Sequence, residues 1–157
     1  MAKAASDREG CYRLRRPASR VEWAAYHGIR QAVALGGEGN DADELAPTNF
    51  PLLLWLEDCP VGTVQIDMLD GGAAAFRLVA VDPSHQGRGH GLVLLREAEA
   101  FARESGCRKA VVYSTQEAVG FYVSAGYAED DWDDQSFGGI VQMTKPLAYA
   151  GFGMEEA

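Results

Sequence analysis

The residues with the most definite chemistry are Gln86, Gly87, Arg88, Gly89, His90 and Gly91. They follow an apolar run, Leu78-Val79-Ala80-Val81, that stops at Asp82-Pro83. They precede Leu92-Val93-Leu94-Leu95-Arg96-Glu97-Ala98-Glu99-Ala100-Phe101, a helix-forming stretch. The order is therefore buried strand, tight loop, helix. The first amides of a helix lack intrahelical partners and sit at the positive end of its dipole, so such a loop is a ready anion site. Glycine has no Cβ and tolerates positive φ, which lets the backbone close on a phosphate. Arg88 and His90 add cationic or donor side chains beside those amides. The spacing predicts a diphosphate-bearing ligand at the start of a helix beginning near Gly89.

Two common phosphate patterns fail. No G-x-x-x-x-G-K-[ST] string exists, and in a G-x-G-x-x-G fingerprint the third glycine would fall on Leu92 or Leu94. The pattern present, Gln86-x-x-Gly89-x-Gly91 after a strand, resembles the acetyl-CoA pyrophosphate loop of the GNAT-superfamily N-acetyltransferases. A second stretch, Ala118-Val119-Gly120-Phe121-Tyr122-Val123-Ser124-Ala125-Gly126-Tyr127, is similar to the A-x-x-F-Y-x-x-x-G-F/Y segment of the same superfamily, at the usual distance after the loop. The resemblance covers about Phe50 to Leu147; the first helix fits by position only. One departure is visible: Thr115 stands where members often carry Asn, and its hydroxyl can still donate and accept.

The resemblance implies an α/β (α+β) chain with the acyl-CoA N-acyltransferase fold. That fold has a mixed, mostly antiparallel sheet of six or seven strands, about four flanking helices, and a parallel strand pair that splays at the cofactor site. It implies acetyl-CoA as cosubstrate, with no metal. Backbone groups of Val79, Ala80 and Val81 would pair with the pantetheine amides. Gln86, Gly87, Arg88, Gly89, His90 and Gly91 would hold the diphosphate, with Thr115, Phe121 and Tyr122 also at the cofactor. Transfer to an amine needs a neutral nitrogen, and a lysine-like amine of pKa about 10.4 is neutral in only about one part in a thousand near pH 7.5. The leaving thiolate needs a proton, and the resemblance implies Tyr122 as the general acid, since a phenol is protonated at neutral pH. For the base, the strand Ala73 to Val81 holds no carboxylate. Asp67, His85, Glu129 and Asp130 are candidates, each more suited to a structural or surface role, and none is assigned. The resemblance implies an unidentified small-molecule or peptide amine as acceptor. The runner-up is a noncatalytic acyl-CoA-binding or sensing module; a nucleotide-phosphate binder is disfavoured by the failed patterns.

A chain of 157 residues, 47% apolar, suits a single domain with a sizeable core, expected to be ordered from about residue 10 to 148. A net charge of −9 argues against nucleic acid; solubility is its plainer reading, and it is compatible with cationic or amine substrates. Three scattered cysteines (Cys11, Cys59, Cys107) and three histidines make no zinc pattern, and an odd cysteine count without an apolar leader predicts a reduced, cytoplasmic setting. No apolar run approaches membrane-spanning length. Homodimers are common in the family it resembles, and the sequence does not decide the oligomeric state.

The elements that must position these residues follow in order. Cys11 to Arg15 reads as a first strand. Ser19 and Glu22 form a capping-box signature, and the helix after them places Val21, Ala24, Ala25, Gly28, Ile29, Ala32 and Val33 on one face, with Trp23, Tyr26 and His27 largely off it. Leu35 to Asp43 reads as a mobile loop and Asp43 to Ala46 as a helical turn. Phe50–Leu56, Val61–Met68 and Ala73–Val81 form a meander, turning at Asp58-Cys59-Pro60 and Asp70-Gly71-Gly72. The helix from Gly89 ends at Gly106, with Leu92, Leu95, Ala98 and Ala102 on its inner face. Ala110–Tyr113 should run parallel to Ala73–Val81. Ser114 to Glu117 opens a second helix that runs to Ala125, with Phe121 as an aromatic core residue. Tyr127 begins a strand, the acidic run Glu129 to Asp134 is a loop, and Ile140–Lys145 is the last strand.

Overall fold

The computed structural model describes residues 12–33, 49–129 and 140–147. They form β1 (Tyr12–Arg15), α1 (Arg20–Val33), β2 (Asn49–Leu56), β3 (Cys59–Leu69), β4 (Ala73–Val81), a 3-10 turn (Pro83–His85), α2 (His90–Glu104), β5 (Lys109–Ser114), a second 3-10 turn (Gln116–Ala118), α3 (Val119–Ser124), β6 (Ala128–Glu129) and β7 (Val141–Pro146). The seven strands make one sheet in the order β1-β2-β3-β4-β5-β7-β6. Three α-helices stand among the described residues, against about four expected. The expected mobile loop and turn from Leu35 to Ala46, the acidic run from Asp130 on, and both chain ends lie outside the described residues. No helix among the described residues is long and apolar enough to cross a membrane.

The strand pairing follows from the links. β1 pairs antiparallel with β2, from Tyr12↔Leu56 to Arg15↔Leu53. Glu57 and Asp58 join β2 to its neighbour β3, and a link of two residues closes only an antiparallel pair. Glu57 takes φ 57° there. The turn thus comes one residue before the expected Asp58-Cys59-Pro60, and Cys59 and Pro60 already belong to β3. Gly71 and Gly72, at φ 81° and 79°, turn the chain into β4, whose bounds are those the sequence predicts. β4 and β5 are parallel, as expected of strands separated by a helix; their register runs from Ala73↔Lys109 to Phe76↔Val112, while β4 continues to Val81.

Two compact units are present, Met1–Ile66 with Leu78–Ala98, and Asp67–Arg77 with Glu99–Ala157. In the first, Tyr26, Ile29, Leu53 and Ala80 form the core, with Trp23, Ala25, Val33 and Trp55 packed on it. β3 carries Gly62 in its interior, where an added Cβ would lie 3.0 Å from the Ala80 carbonyl oxygen and 3.3 Å from Leu94 Cδ2. A methyl in that seat would make the neighbouring strand or the Leu94 side chain give by a few tenths of an ångström, which glycine avoids. In the second unit Ala73, Ala75 and Val111 pack together.

The inner face of α1 differs from expectation. Tyr26, Ile29 and Arg30 are buried and Trp23 is half-buried, whereas Val21 is 76% exposed and Ala24, Gly28 and Ala32 face out. Counting apolar positions weights an alanine like a tryptophan, but folding removes area from water, and one aromatic ring carries about 150–250 Å². The helix turns its aromatic side inward: Trp23 and Tyr26 meet edge to face at 5.6 Å, and His27 stacks on Trp23 at 5.7 Å. The cap is as expected at Ser19, whose Oγ accepts from Glu22 N at 3.2 Å; Glu22 Oε1 reaches back to Ala18 N at 2.8 Å.

Candidate functional site

The glycine loop is built by hydrogen bonds at the end of β4. Asp82 N donates to Val61 O at 2.8 Å, which ties the strand end to β3. Asp82 Oδ1 then accepts from Ser84 N and caps the Pro83–His85 turn. Gln86 Nε2 donates to Val81 O at 2.9 Å, so this side chain folds the loop back on the strand. Gly87 and Gly89 take φ 81° and 86°, and Arg88 between them is not a positive-φ residue. Where positive-φ residues alternate with αR residues, successive N–H groups can turn to one side as a backbone anion nest. An added Cβ at either glycine would meet nothing within 4 Å. The glycines answer a demand of φ, and the space above them is open. α2 then begins at His90, with Val93 N donating to Gly89 O at 3.4 Å. Arg88 is exposed and Gly91 half-buried.

His90 does not join Arg88 as a cation. Its ring is 5% exposed, and Nδ1 lies 2.8 Å from Tyr12 Oη. Burial lowers its pKa, and His85 and Arg88 lower it further. A neutral imidazole with Nδ1 turned toward β1 brings no positive charge to the loop. Of the two expected roles, cation or donor, burial disfavours the cation at His90, the residue that opens α2.

The second motif is built around Thr115 and Gly126. Ser114 is the last residue of β5, not the start of a helix. Thr115 Oγ1 accepts from Ala118 N at 3.3 Å and caps the 3-10 turn, so α3 starts only at Val119. At the other end Tyr127 N donates to Tyr122 O and Gly126 N to Val123 O, with Gly126 at φ 103°. This is a Schellman closure, and the same pattern ends α2 at Gly106. The strand after it begins at Ala128 rather than Tyr127, and Glu129 lies within it.

Tyr122 is 7% exposed, and burial pushes its phenol up to about 12. It is fully protonated at neutral pH. Phe121, expected in the core, is 38% exposed and meets Tyr122 edge to face at 5.2 Å. Six residues of helix put 121 and 122 on different sides, and only one can face in. On its other side Tyr122 meets Tyr127 at 5.7 Å. Tyr127 Oη donates to Glu99 Oε2 at 2.8 Å, and Lys145 Nζ donates to Glu99 Oε1 and to Ala125 O, each at 3.0 Å.

This network was not anticipated. Glu99 is 4% exposed on the inner face of α2 with Leu95, Ala98 and Ala102. The signal was in the helical period: residue 99 follows 95 by four and precedes 102 by three, so a carboxylate there is buried and needs partners. Among the candidate bases, Asp67 is committed to Arg77 Nη1 at 2.9 Å. His85 faces Asp82 and Cys59. Glu129 is exposed, and Asp130 lies outside the described residues. No group of three or more His, Cys, Asp or Glu among the described residues is placed to hold a metal ion.

Comparison with known proteins agrees with this architecture. The family model described as the acetyltransferase (GNAT) family matches residues 8–127. A protein from Lactobacillus plantarum assigned as an N-acetyltransferase is 26% identical, with 87% of this chain and 99% of that one covered at a TM-score of 0.70. Escherichia coli ElaA is 18% identical, with 85% and 97% covered at a TM-score of 0.71. The PaiA N-acetyltransferase of Thermoplasma acidophilum, solved with coenzyme A, is 19% identical, with 63% and 61% covered at a TM-score of 0.54. A strand, a glycine loop and a helix in that order, a parallel β4–β5 pair and a family match over most of the sequence lead to one conclusion: the chain belongs to the GNAT acetyltransferase family.

Proposed function

We propose that this protein transfers the acetyl group of acetyl-CoA to a primary amine of a small molecule or peptide, with Tyr122 as general acid. The observation that carries the reading is the nest of Gly87 and Gly89 at the start of α2, open above both glycines. Its backbone N–H groups fit a diphosphate, and Arg88 adds a cation. Coenzyme A bound to the Thermoplasma relative supports the same cosubstrate here. Acetyl-CoA, when bound, supplies the activated thioester.

The rest falls to this chain's own groups. Backbone N–H and C=O groups of Val79, Ala80 and Val81 serve the pantetheine amides, which suits a β4 that runs on to Val81 beyond the Ala73–Phe76 stretch in register with β5. An N–H in that segment also suits polarisation of the acetyl carbonyl. Tyr122 holds its proton at Oη for the departing sulfur, and burial keeps it there. The net charge of −9 favours a cationic acceptor.

Calorimetric titration of acetyl-CoA, with ATP and NADH as controls, tests the loop. Thiol release over a panel of cationic amines then tests transfer. Selective micromolar binding and amine-dependent release are expected. In Tyr122→Phe, turnover should fall more than tenfold with acetyl-CoA affinity nearly intact; unchanged turnover removes the acid role. A folded protein that fails to bind acetyl-CoA overturns the reading.

A further inference from the structure

One cluster of reactive side chains lies outside the machinery just described. Cys59, the first residue of β3, is exposed. Its Sγ lies 3.7 Å from His85 Nε2. On the other side of the ring, His85 Nδ1 lies 3.6 Å from Asp82 Oδ2 and 3.3 Å from Ser84 Oγ. Backbone geometry fixes the arrangement. Asp82 N is bonded to Val61 O, two residues along from Cys59, and His85 N to Asp82 O, both at 2.8 Å. Pro60 and Pro83 restrict φ beside the cysteine and between the acid and the imidazole. With its proton on Nδ1, beside the Ser84 hydroxyl and the Asp82 carboxylate, His85 turns the Nε2 lone pair toward the thiol, the tautomer a base needs. The described residues offer no metal-spaced group, so the trio is read as nucleophile, base and orienting acid rather than as ligands.

We propose that Cys59 is a reactive thiol, activated by His85 and positioned by Asp82, that forms mixed disulfides with small disulfides. The Sγ–H proton passes to His85 Nε2 as sulfur attacks one sulfur of R–S–S–R. The S–S bond breaks, Cys59–S–S–R forms, and the departing R–S⁻ takes the proton from His85 to leave as R–SH. The disulfide is the only co-reactant, and the exchange balances without a further oxidant. This inference does not depend on acetyl-CoA binding.

The test uses the full chain carrying Cys11→Ser and Cys107→Ser, so that Cys59 is the sole thiol of the three cysteines. An aromatic nitrobenzoate disulfide, which releases a coloured thiolate, reports the rate. The native protein should react at least tenfold faster than the same protein unfolded in guanidinium, after correction with a cysteine peptide in both solvents. His85→Gln should slow the native reaction at least tenfold. Asp82→Asn should slow it with Tm unchanged, and Asp82→Glu should restore part of the rate. A native thiol no faster than the unfolded one, or a folded His85→Gln variant with the parent rate, overturns the proposal. Should His85→Gln fail to fold, the ratio of native to unfolded rates decides alone.

Discussion

Tyr127 donates to Glu99 Oε2 at 2.8 Å in a buried site, and Lys145 holds the other carboxylate oxygen at 3.0 Å. Removing one partner strands a charge away from water. Lys145→Met keeps the side-chain stem but leaves the carboxylate with a single phenol, and should cost about 3 kcal/mol. Adding Glu99→Gln to that variant should recover part of the loss, because the charge goes with its partner. Urea unfolding of the two variants measures both effects. An unchanged midpoint in Lys145→Met would mean that the network contributes no stability.

Two phenols should titrate late. Burial pushes Tyr122 up to about 12, and burial with the neighbouring Glu99 charge pushes Tyr127 up as well. The folded state therefore keeps protons that unfolded tyrosines lose at about pH 10. Stability from these groups is complete below about pH 10 and declines as pH rises through 12. Phenolate absorbance should show a late component among the six tyrosines. Tyr122→Phe should remove one proton from that component. If the late component is unchanged in the variant, the buried phenol is not Tyr122.

His90 titrates in the opposite direction. Burial, then His85, then Arg88 hold its pKa below the ordinary imidazole value of about 6.5. As pH falls through about 6.5 the unfolded chain takes up a proton that folded His90 refuses, so stability declines toward acid. The imidazole resonances of His90 should show a midpoint below 6.5, and Arg88→Gln should move it upward. A midpoint at or above 6.5 would contradict a buried, neutral ring against Tyr12.

Gly89 separates strain from charge. Gly89→Ala finds open space but keeps φ 86°, so it should cost about 1–2 kcal/mol of stability and leave acetyl-CoA affinity within a few-fold. Gly89→Glu carries the same strain and adds negative charge beside the nest. A folded Gly89→Glu protein should lose more than tenfold in affinity by calorimetry. Equal affinities in the two variants would remove the diphosphate from this loop.

Backbone features were legible in the sequence where one residue type has one use. Gly106 and Gly126 end their helices, Ser19 opens α1, and β4 has the expected bounds. Side-chain direction was less legible. The bounds of α2 do not say that His90 turns to Tyr12, because β1 is far away in sequence and brings the phenol. α1 buried area rather than a count of apolar letters, which reversed the roles of Val21 and Tyr26. The start of α3 shifted because Thr115 tied itself to Ala118 and spent a turn on 3-10 geometry.

The border between the two compact units cuts β3 between Ile66 and Asp67, β4 between Arg77 and Leu78, and α2 between Ala98 and Glu99. Each unit is thus made of two separate stretches of chain. A single protease nick or one recombination crossover cannot release either unit whole.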